Sequence, residues 1–197
     1  NPVRDSIAAL PDPQSRYQAR SGALNVLVVG GSLGAQAINS CVPQALALVP
    51  KEVRAKVIHQ TGKQHFEAVQ KIYQQVGVAG EVKAFLDDMA HYYAWADVVI
   101  CRAGALTVAE LAAAGVASIL IPYPHAVDDH QTGNARFLSE RGAAILLPQN
   151  AMQPQQLAQL LQEMTREKAM EMALAARALA QPAAAQRVAQ ICKELAA

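Results

Sequence analysis

The sequence predicts an α/β fold, a Rossmann-like doubly wound parallel sheet of six strands. Six short apolar segments alternate with segments of helical periodicity, which is the pattern of parallel strands joined through crossover helices. Apolar residues account for 52% of the 197 residues and charged residues for 17%, as expected for a sheet that is buried on both faces. Open sheets of this class bind ligands in the crevice at the carboxyl ends of their strands.

Each predicted strand is a short, mostly apolar run, and most of them are rich in β-branched residues. The six strands are expected at Leu24–Val29, Arg54–His59, Val82–Phe85, Val98–Cys101, Ser118–Ile121 and Ala144–Leu147. The connecting segments predict helices that run to about Val49, over Gln64–Val76, through Trp95 with Asp87 or Asp88 as N-cap, over Ala105–Ala114 and over Gln131–Arg141.

Helical patterns continue beyond the sixth strand, at Gln155–Met164, Arg166–Leu179 and Pro182–Leu195. This is more helix than the alternating pattern requires. The additional helices either cover an edge of the sheet or include one that reaches a domain outside this chain.

The amino-terminal segment differs in composition from the rest of the chain. Residues 1–22 are rich in Pro, Asp, Gln and Arg and show no clear periodicity, so they predict a linker or entry segment. Residues 23–197 are then expected to form one Rossmann-like domain. The chain begins with Asn1-Pro2-Val3-Arg4 and not with Met, so we expect it to be a piece of a longer protein.

Charge, cysteine spacing and hydropathy argue against several classes of protein. The net charge of +1 argues against a broad nucleic-acid surface. Cys41, Cys101 and Cys192 lie far apart and form no metal or redox motif, as expected for reduced thiols in the cytosol. The sequence shows neither an apolar run long enough to span a bilayer nor a signal peptide.

The segment Gly30-Gly31-Ser32-Leu33-Gly34 stands between the first strand and its helix. A glycine turn at this place lets backbone N–H groups approach a phosphate, and the helix dipole favours the anion. Ser32 adds a hydroxyl donor, so we interpret the turn as a phosphate-facing loop and not as packing alone. It is neither a Walker loop nor a dinucleotide fingerprint, because no Gly-Lys-Ser/Thr follows and residues 59–62 contain no acid.

A second strand, turn and helix unit spans Asp97–Glu110. Its helix is expected to begin after Gly104, with free N–H groups in the first turn and a hydroxyl at Thr107. Glu110 lies three residues after Thr107, so the two side chains share one helix face. A carboxylate there suits the vicinal hydroxyls of a ribose. The alternative is that Glu110 only stabilises an ordinary helix near its start.

Polar residues cluster at 125–134, after the fifth strand. Their His, Asp, Gln and Asn side chains offer many hydrogen bonds to a polyhydroxyl ligand, although a solvated polar loop has the same composition. Asp128, Asp129 and His130 resemble metal ligands, but no second ligand lies at helical spacing from His130, and Asp129 is suited to cap a helix. The sequence therefore predicts no metal site here, and it contains no nucleophile motif.

Five motifs, taken in order, resemble the carboxyl-terminal half of the MurG family of bacterial glycosyltransferases. They are Asn1-Pro2-Val3-Arg4, Gly30-Gly31-Ser32-x-Gly34-Ala35, Phe85-x-Asp87-Asp88-Met89, Cys101-Arg102-x-Gly104-Ala105-Leu106-Thr107-x-x-Glu110 and Asp129-His130-Gln131-x-x-Asn134. The resemblance implies one half of a GT-B enzyme, in which two Rossmann-like domains flank a cleft. It implies an inverting transfer of GlcNAc from UDP-GlcNAc to lipid I, which yields lipid II for peptidoglycan on the cytoplasmic face of the inner membrane.

The resemblance also implies roles for single residues in binding the donor. Glu110 is expected to bind the ribose, Leu86 to meet the uracil largely through its backbone, and Gln131 to hydrogen-bond the sugar with His130 beside it. The groups expected around the diphosphate are Arg4, Gly31, Ser32, Ala105, Leu106 and Thr107. No cofactor or metal is expected. The general base and the lipid I pocket are expected in the amino-terminal half, so this chain should bind donor without turnover.

Two other functions remain open at this point. One is a different enzyme that uses UDP-sugars, such as an epimerase or a glycolipid synthase, in which residues 129–131 would specify another hydroxyl pattern. The other is a non-catalytic nucleotide-binding subunit that needs a partner chain. A Rossmann dehydrogenase fits least well, because the acid expected at the end of the second strand is missing.

Overall fold

The computed structural model describes residues 1–31 and 34–195. Six strands form one sheet in the order β3-β2-β1-β4-β5-β6, and all neighbouring pairs are parallel. The strands are β1 (Asn25–Val29), β2 (Lys56–Gln60), β3 (Glu81–Lys83), β4 (Val98–Cys101), β5 (Ala117–Leu120) and β6 (Ala144–Leu146). The predicted six-stranded α/β fold is confirmed.

Helices connect the strands and continue after the last one. In the described part of the chain they are α1 (Asp5–Ala8), α2 (Pro13–Gln18), α3 (Gln36–Leu48), α4 (Phe66–Gln75), α5 (Met89–Trp95), α6 (Ala105–Ala114), α7 (His130–Ser139), α8 (Pro154–Gln162), α9 (Arg166–Ala178) and α10 (Ala184–Leu195). Short 3₁₀ turns at Lys63–His65 and Val127–Asp129 lead into α4 and α7.

Both faces of the sheet are buried, because successive strand residues point to opposite sides. In β4, Val98 and Ile100 belong to one core cluster, whereas Val99 and Cys101 belong to the other. Helices cover each cluster, and this explains why the strand is apolar at every position and not at alternate ones. The sequence signal of a continuous apolar run was therefore the correct one.

Three predicted strands are shifted relative to the observed ones: the fifth by one residue, to Ala117–Leu120, and the second and third by up to two residues. The second was expected from Arg54, but Arg54 instead donates from its guanidinium to the carbonyl oxygen of Val49, just after α3. The third was expected over Val82–Phe85, but β3 ends at Lys83. Just after β3, Gln60 Nε2 donates to the carbonyl oxygen of Ala84, and this side-chain contact replaces further pairing between β2 and β3.

The amino-terminal segment is packed onto the domain, which the absence of periodicity did not indicate. Tyr17 is buried and donates through its hydroxyl to the carbonyl oxygen of Asp97 at 2.6 Å. The Arg16 guanidinium donates to the carbonyl oxygens of Ala114 and Gly115, where α6 ends. Polar anchors of this kind satisfy the last carbonyls of a helix and leave no apolar repeat in the sequence. Residues 1–22 thus contain α1 and α2 and pack on the domain, and their expected role as a linker or entry segment stays a prediction.

The three helices after β6 differ in how they pack. Leu157 and Leu161 of α8 and Met172 of α9 are buried in one core cluster, so these two helices cover the sheet. In contrast, α10 buries none of its residues against the described chain. Val188 and Ile191 of α10 are exposed apolar side chains. Cover of the sheet is thus observed for α8 and α9, whereas contact of a helix with a domain outside this chain stays a prediction. No helix in the described ranges is both long and apolar enough to cross a membrane.

Candidate donor-binding site

The glycine turn after β1 is hydrogen-bonded to Gln60, the last residue of β2. The Gly31 N–H donates to Gln60 Oε1 at 2.9 Å, and Gln60 Nε2 donates back to the Gly31 carbonyl at 2.9 Å. Gly31 and Gly34 both have φ of +77°, a region that favours glycine. A Cβ on Gly34 would lie 2.4 Å from the carbonyl oxygen of Thr61. Ser32, predicted to face the phosphate, lies outside the described residues.

A buried neutral histidine supports this turn. Asn39 Nδ2 donates to the carbonyl oxygen of Thr61, so Asn39 Oδ1 must accept from His59 Nε2–H at 3.0 Å. His59 Nδ1 then accepts from the Tyr73 hydroxyl at 3.0 Å. Burial lowers the pKa of His59 to about 3, which keeps the ring neutral. The network fixes the end of β2 under the turn.

The start of α6 provides a second set of backbone donors. The N–H groups in the first turn of a helix have no acceptor within the helix. The N-cap of α6 is Gly104, which has no side chain to accept from them. Ala105 and Leu106 are exposed there. Asn134 Nδ2 of α7 donates to the carbonyl oxygen of Ala103 at 3.0 Å and ties the two helix starts together. This arrangement can hold an anion.

Glu110 is a buried carboxylate whose two oxygens meet different partners. Its side chain is 6% exposed, and Oε1 lies 3.3 Å from an Arg4 guanidinium nitrogen whose own side chain is 57% exposed. Oε2 accepts from the Tyr93 hydroxyl at 3.2 Å. Arg4 and Glu110 are 106 positions apart in the chain, and the structure brings these two predicted site residues together. An exposed cation can move away from Oε1 and leave it to hydroxyl donors.

Leu86 has its side chain in the core and is 4% exposed. The side chain is therefore not open to a ligand, and the expected contact of the Leu86 backbone with a base stays a prediction. The adjacent Phe85 is 52% exposed. The two acids that follow were expected to provide an N-cap, and Asp88 does so by accepting from the His91 N–H at 3.1 Å.

Gln131 lies near the start of α7 and lines a cavity of about 610 Å³. Gly34 and Ala35 of the glycine turn line the same cavity. Gln131 Oε1 accepts from the Tyr123 N–H at 3.0 Å. His130 opens α7 and is exposed. The predicted sugar-binding residue and part of the predicted phosphate loop thus line one cavity.

The polar cluster at 125–134 contains the residues that resemble metal ligands in the sequence. No group of three potential ligands among His, Cys, Asp and Glu occurs in residues 1–31 and 34–195. Asp129 accepts from the Thr132 hydroxyl at 2.7 Å and makes no side-chain bond to a backbone N–H of α7. Asp129 is thus the N-cap residue of α7 by position, but its side chain does not cap the helix. Asp128 and Asp129 both have φ near +50°, in the left-handed region that Asp adopts more readily than most non-glycine residues.

Sequence reasoning missed Gln60, Tyr93 and Arg102. Gln60 was considered only as the missing acid of a dinucleotide site. Tyr93 was assigned to core or surface cover, and it is buried, but it also holds Glu110. Arg102 was quoted within a motif without a role. A polar residue directly after a buried strand was the signal available for Gln60 and Arg102.

Comparison with known families and structures identifies relatives of this chain. The model of the "Glycosyltransferase family 28 C-terminal domain" matches residues 25–194. A protein of Nitrosomonas eutropha is 58% identical over 195 residues, which is 99% of this chain and 55% of that protein. A protein of Nitrosospira multiformis is 57% identical over 197 residues, again covering 55% of its length. Both are named UDP-N-acetylglucosamine–N-acetylmuramyl-(pentapeptide) pyrophosphoryl-undecaprenol N-acetylglucosamine transferase.

Solved structures show the same fold. The crystal structure of Acinetobacter baumannii MurG has a TM-score of 0.89 and 44% identity, and the match covers 95% of this chain and 55% of that one. The glycosyltransferase WaaG has a TM-score of 0.66 at 19% identity, and a Neisseria meningitidis UDP-GlcNAc 2-epimerase has 0.55 at 11%. The latter two support the fold alone. The chain thus spans about half the length of the relatives it matches, and it belongs to the glycosyltransferase family 28 C-terminal domain family, in agreement with the MurG resemblance of its motifs.

Proposed function

We propose that this chain is the donor-binding half of an inverting glycosyltransferase that moves GlcNAc from UDP-GlcNAc to lipid I and forms lipid II for peptidoglycan. The observation that carries the proposal is the buried Glu110 carboxylate beside the uncapped start of α6. Oε2 is held by Tyr93, whereas Oε1 meets only the exposed Arg4 among the described residues. A fixed carboxylate next to free backbone donors suits a ribose attached to a diphosphate.

The site residues divide the donor between them. Glu110 takes the ribose hydroxyls, and the backbone at Leu86 takes the uracil. Arg4, Gly31, Ser32, Ala105, Leu106 and Thr107 are assigned to the diphosphate. Gln131 and His130 contact the sugar. The names of the relatives support this division, since they specify UDP-N-acetylglucosamine as donor.

The chemistry assigned to this half is stabilisation of the leaving group. As the bond to the sugar breaks, negative charge develops on the departing UDP. The Arg4 guanidinium and the N–H groups at the start of α6 are placed to stabilise that charge. The acceptor hydroxyl also needs a general base, which we assign, with the lipid I pocket, to an amino-terminal half.

The parts outside the domain core connect to that other half in our proposal. Residues 1–22 join the two halves, and residues 23–197 form the donor domain. The exposed apolar residues Val188, Ile191 and Leu195 of α10 follow each other at helical spacing and are assigned to contact with the amino-terminal half. The complete protein is placed at the cytoplasmic side of the inner membrane as a peripheral enzyme.

Calorimetric titration of the chain with UDP, UDP-GlcNAc, UDP-galactose and NAD tests the proposal. We expect the uridine nucleotides to bind, UDP-GlcNAc more tightly than UDP-galactose, and NAD not to bind. Binding of NAD without binding of any uridine nucleotide would contradict it. A second assay asks whether the isolated chain transfers GlcNAc to lipid I. We expect no transfer, and detectable product would show that the base lies in this half.

A further inference from the structure

Arg102 connects three loops at the carboxyl edge of the sheet. It follows β4, and one guanidinium nitrogen donates to the carbonyl oxygens of Ile121 and Pro122 at 3.2 and 3.0 Å, in the loop after β5. The other terminal nitrogen donates to Gln149 Oε1 at 2.6 Å, in the loop after β6. Its Cζ lies 5.4 Å from the ring centroid of Tyr123. The planar fork of an arginine can hold all these partners at once, whereas a lysine ammonium cannot.

The loop that Arg102 holds is the one that orients Gln131. Tyr123 directly follows the two carbonyls bound by Arg102, and its N–H donates to Gln131 Oε1 at 3.0 Å. A backbone N–H can only donate, so the atom that faces it must be the amide oxygen and not the amide nitrogen. This contact therefore fixes which end of the Gln131 amide is left for a ligand.

The contact determines whether Gln131 donates a hydrogen bond to a ligand or accepts one. With its oxygen committed to Tyr123, Gln131 offers the two N–H donors of its Nε2. The residue lines the same cavity as Arg102, Tyr123 and Gln149. A ligand atom met there has to be a hydrogen-bond acceptor, such as a sugar hydroxyl oxygen, an amide carbonyl oxygen or a phosphate oxygen.

We propose that Arg102 is a positioning residue: by clamping the 121–123 loop it fixes the amide of Gln131 so that Gln131 donates to an acceptor oxygen on the sugar part of the ligand. The identity of that ligand rests on the proposed function. The Arg102 guanidinium donates its hydrogen bonds to two backbone carbonyls and to the Gln149 amide oxygen. Burial lowers the pKa of Arg102, because the protein partners replace part of the water around the charged group. Arg102 therefore acts by holding the loop in place, and another positively charged side chain at this position would not perform the same role.

The test compares Arg102→Lys with Arg102→Met, because the first keeps the positive charge and both lose the fork. For each variant the affinities for UDP and UDP-GlcNAc are measured by calorimetry. We expect both variants to weaken UDP-GlcNAc by about tenfold while the affinity for UDP changes little. Gln131→Glu, which cannot donate, should lose the same increment. The double variant Arg102→Met with Gln131→Glu should be no weaker than either single variant, because the two residues act through one contact.

Arg141→Met is the matched control. Arg141 also donates to a backbone carbonyl, that of Phe137, and stacks on the Phe137 ring at 5.1 Å, but it is exposed at the far end of α7. We expect it to leave both affinities unchanged. If Arg102→Lys binds as the wild type does, or if Arg102→Met weakens UDP and UDP-GlcNAc equally, the charge acts directly on the diphosphate and the positioning role is wrong.

A second measurement separates this inference from the proposed function. Hydrogen exchange of the Tyr123 amide is followed by NMR in the chain without nucleotide, together with the side-chain amide signals of Gln131. We expect Arg102→Met and Arg102→Lys to accelerate exchange at Tyr123 and to shift the Gln131 signals, while thermal unfolding shows that both remain folded. Unchanged protection in both variants would overturn the clamp. Failure of all uridine nucleotides to bind would instead overturn the proposed function and leave the exchange result to decide on the clamp.

Discussion

Two buried carboxylates flank β4, and they differ in whether their partners can leave. Asp97, just before the strand, is fully buried. Its Oδ1 accepts from Arg20 at 2.6 Å, and its Oδ2 accepts from the Asn25 N–H at 2.8 Å and from Arg166 at 3.3 Å. Glu110, on the helix after the strand, has the buried Tyr93 hydroxyl on one oxygen and the exposed Arg4 on the other.

This difference separates a structural carboxylate from a binding one. Both arginines that meet Asp97 have side chains only 16% exposed, so its charge is neutralised by groups that the fold holds in place. Glu110 has one partner that solvent or a ligand can displace. Burial of a charge is therefore not itself the sign of a site. The sign is a buried charge with one exchangeable partner.

The largest effect should come from Asp97→Asn. The change leaves two arginines without their anion and puts an amide nitrogen against donors, so we expect the free energy of unfolding in denaturant to fall by about 3–5 kcal/mol. Glu81→Gln is the control, because Glu81 pairs with Lys83 on the surface, where ion pairs stabilise little. A loss below about 1 kcal/mol for Asp97→Asn would remove the structural half of the comparison.

The binding half is tested by Glu110→Ala. Loss of the carboxylate should weaken UDP by roughly tenfold or more, on the order of 1–3 kcal/mol for a hydrogen bond to a charged group. We expect the Glu110→Ala variant to unfold at a higher urea concentration than the Asp97→Asn variant. The control is Glu171→Ala on the exposed side of α9. Equal calorimetric affinities of the variant and the wild type for UDP would refute the ribose assignment.

His59 extends the comparison to a group that is buried without its charge. Its folded pKa of about 3 lies below the value near 6.5 expected in the unfolded chain. Protonation then favours the unfolded chain, so stability present above about pH 6.5 is lost as the pH falls toward 3. The expected loss from this residue between pH 7 and pH 5 is about 2 kcal/mol.

His59→Gln should remove most of that slope, since glutamine does not titrate and its amide nitrogen can replace Nε2–H toward Asn39. Urea unfolding measured at several pH values gives the slope directly. His91→Gln, at an exposed position, serves for comparison and should leave the slope as in the wild type. A variant of His59 that still loses stability as steeply as the wild type would place the acid sensitivity elsewhere.

The smallest effect is expected for Tyr93→Phe. The ring stays in the core, but Glu110 Oε2 loses the hydrogen bond from the Tyr93 hydroxyl. The carboxylate is then held in its binding orientation less strongly, by about 1 kcal/mol. Titration with UDP and 2′-deoxy-UDP should show a narrower preference for the ribose nucleotide. Tyr92→Phe, on the same helix, should keep the wild-type preference. A preference that is unchanged in Tyr93→Phe would show that Arg4 and the helix alone orient the carboxylate.

Local signals in the sequence were sufficient for the fold class. The apolar run of β4, the left-handed Gly115 that ends α6 and the cap of α5 by Asp88 each depend on a few adjacent residues, and each was predicted. The packing of residues 1–22 was not, because Arg16 and Tyr17 hold it through carbonyl groups 99 and 80 positions away. Polar anchors of that kind leave no periodic pattern.

The sequence by itself determined the six-stranded α/β architecture, the glycine turn and the order of motifs that identifies the family, because strand pattern, turn geometry and motif spacing are all local properties. The tertiary structure alone decided that Glu110 keeps one exchangeable partner and that the Gln131 amide presents its nitrogen. Glu110 meets Arg4 106 positions away, and this pairing is set by the docking of the first helix, which no local pattern encodes. Gln131 meets Tyr123 only eight positions away, but the loop that brings them together is bound by Arg102 from the end of the neighbouring strand.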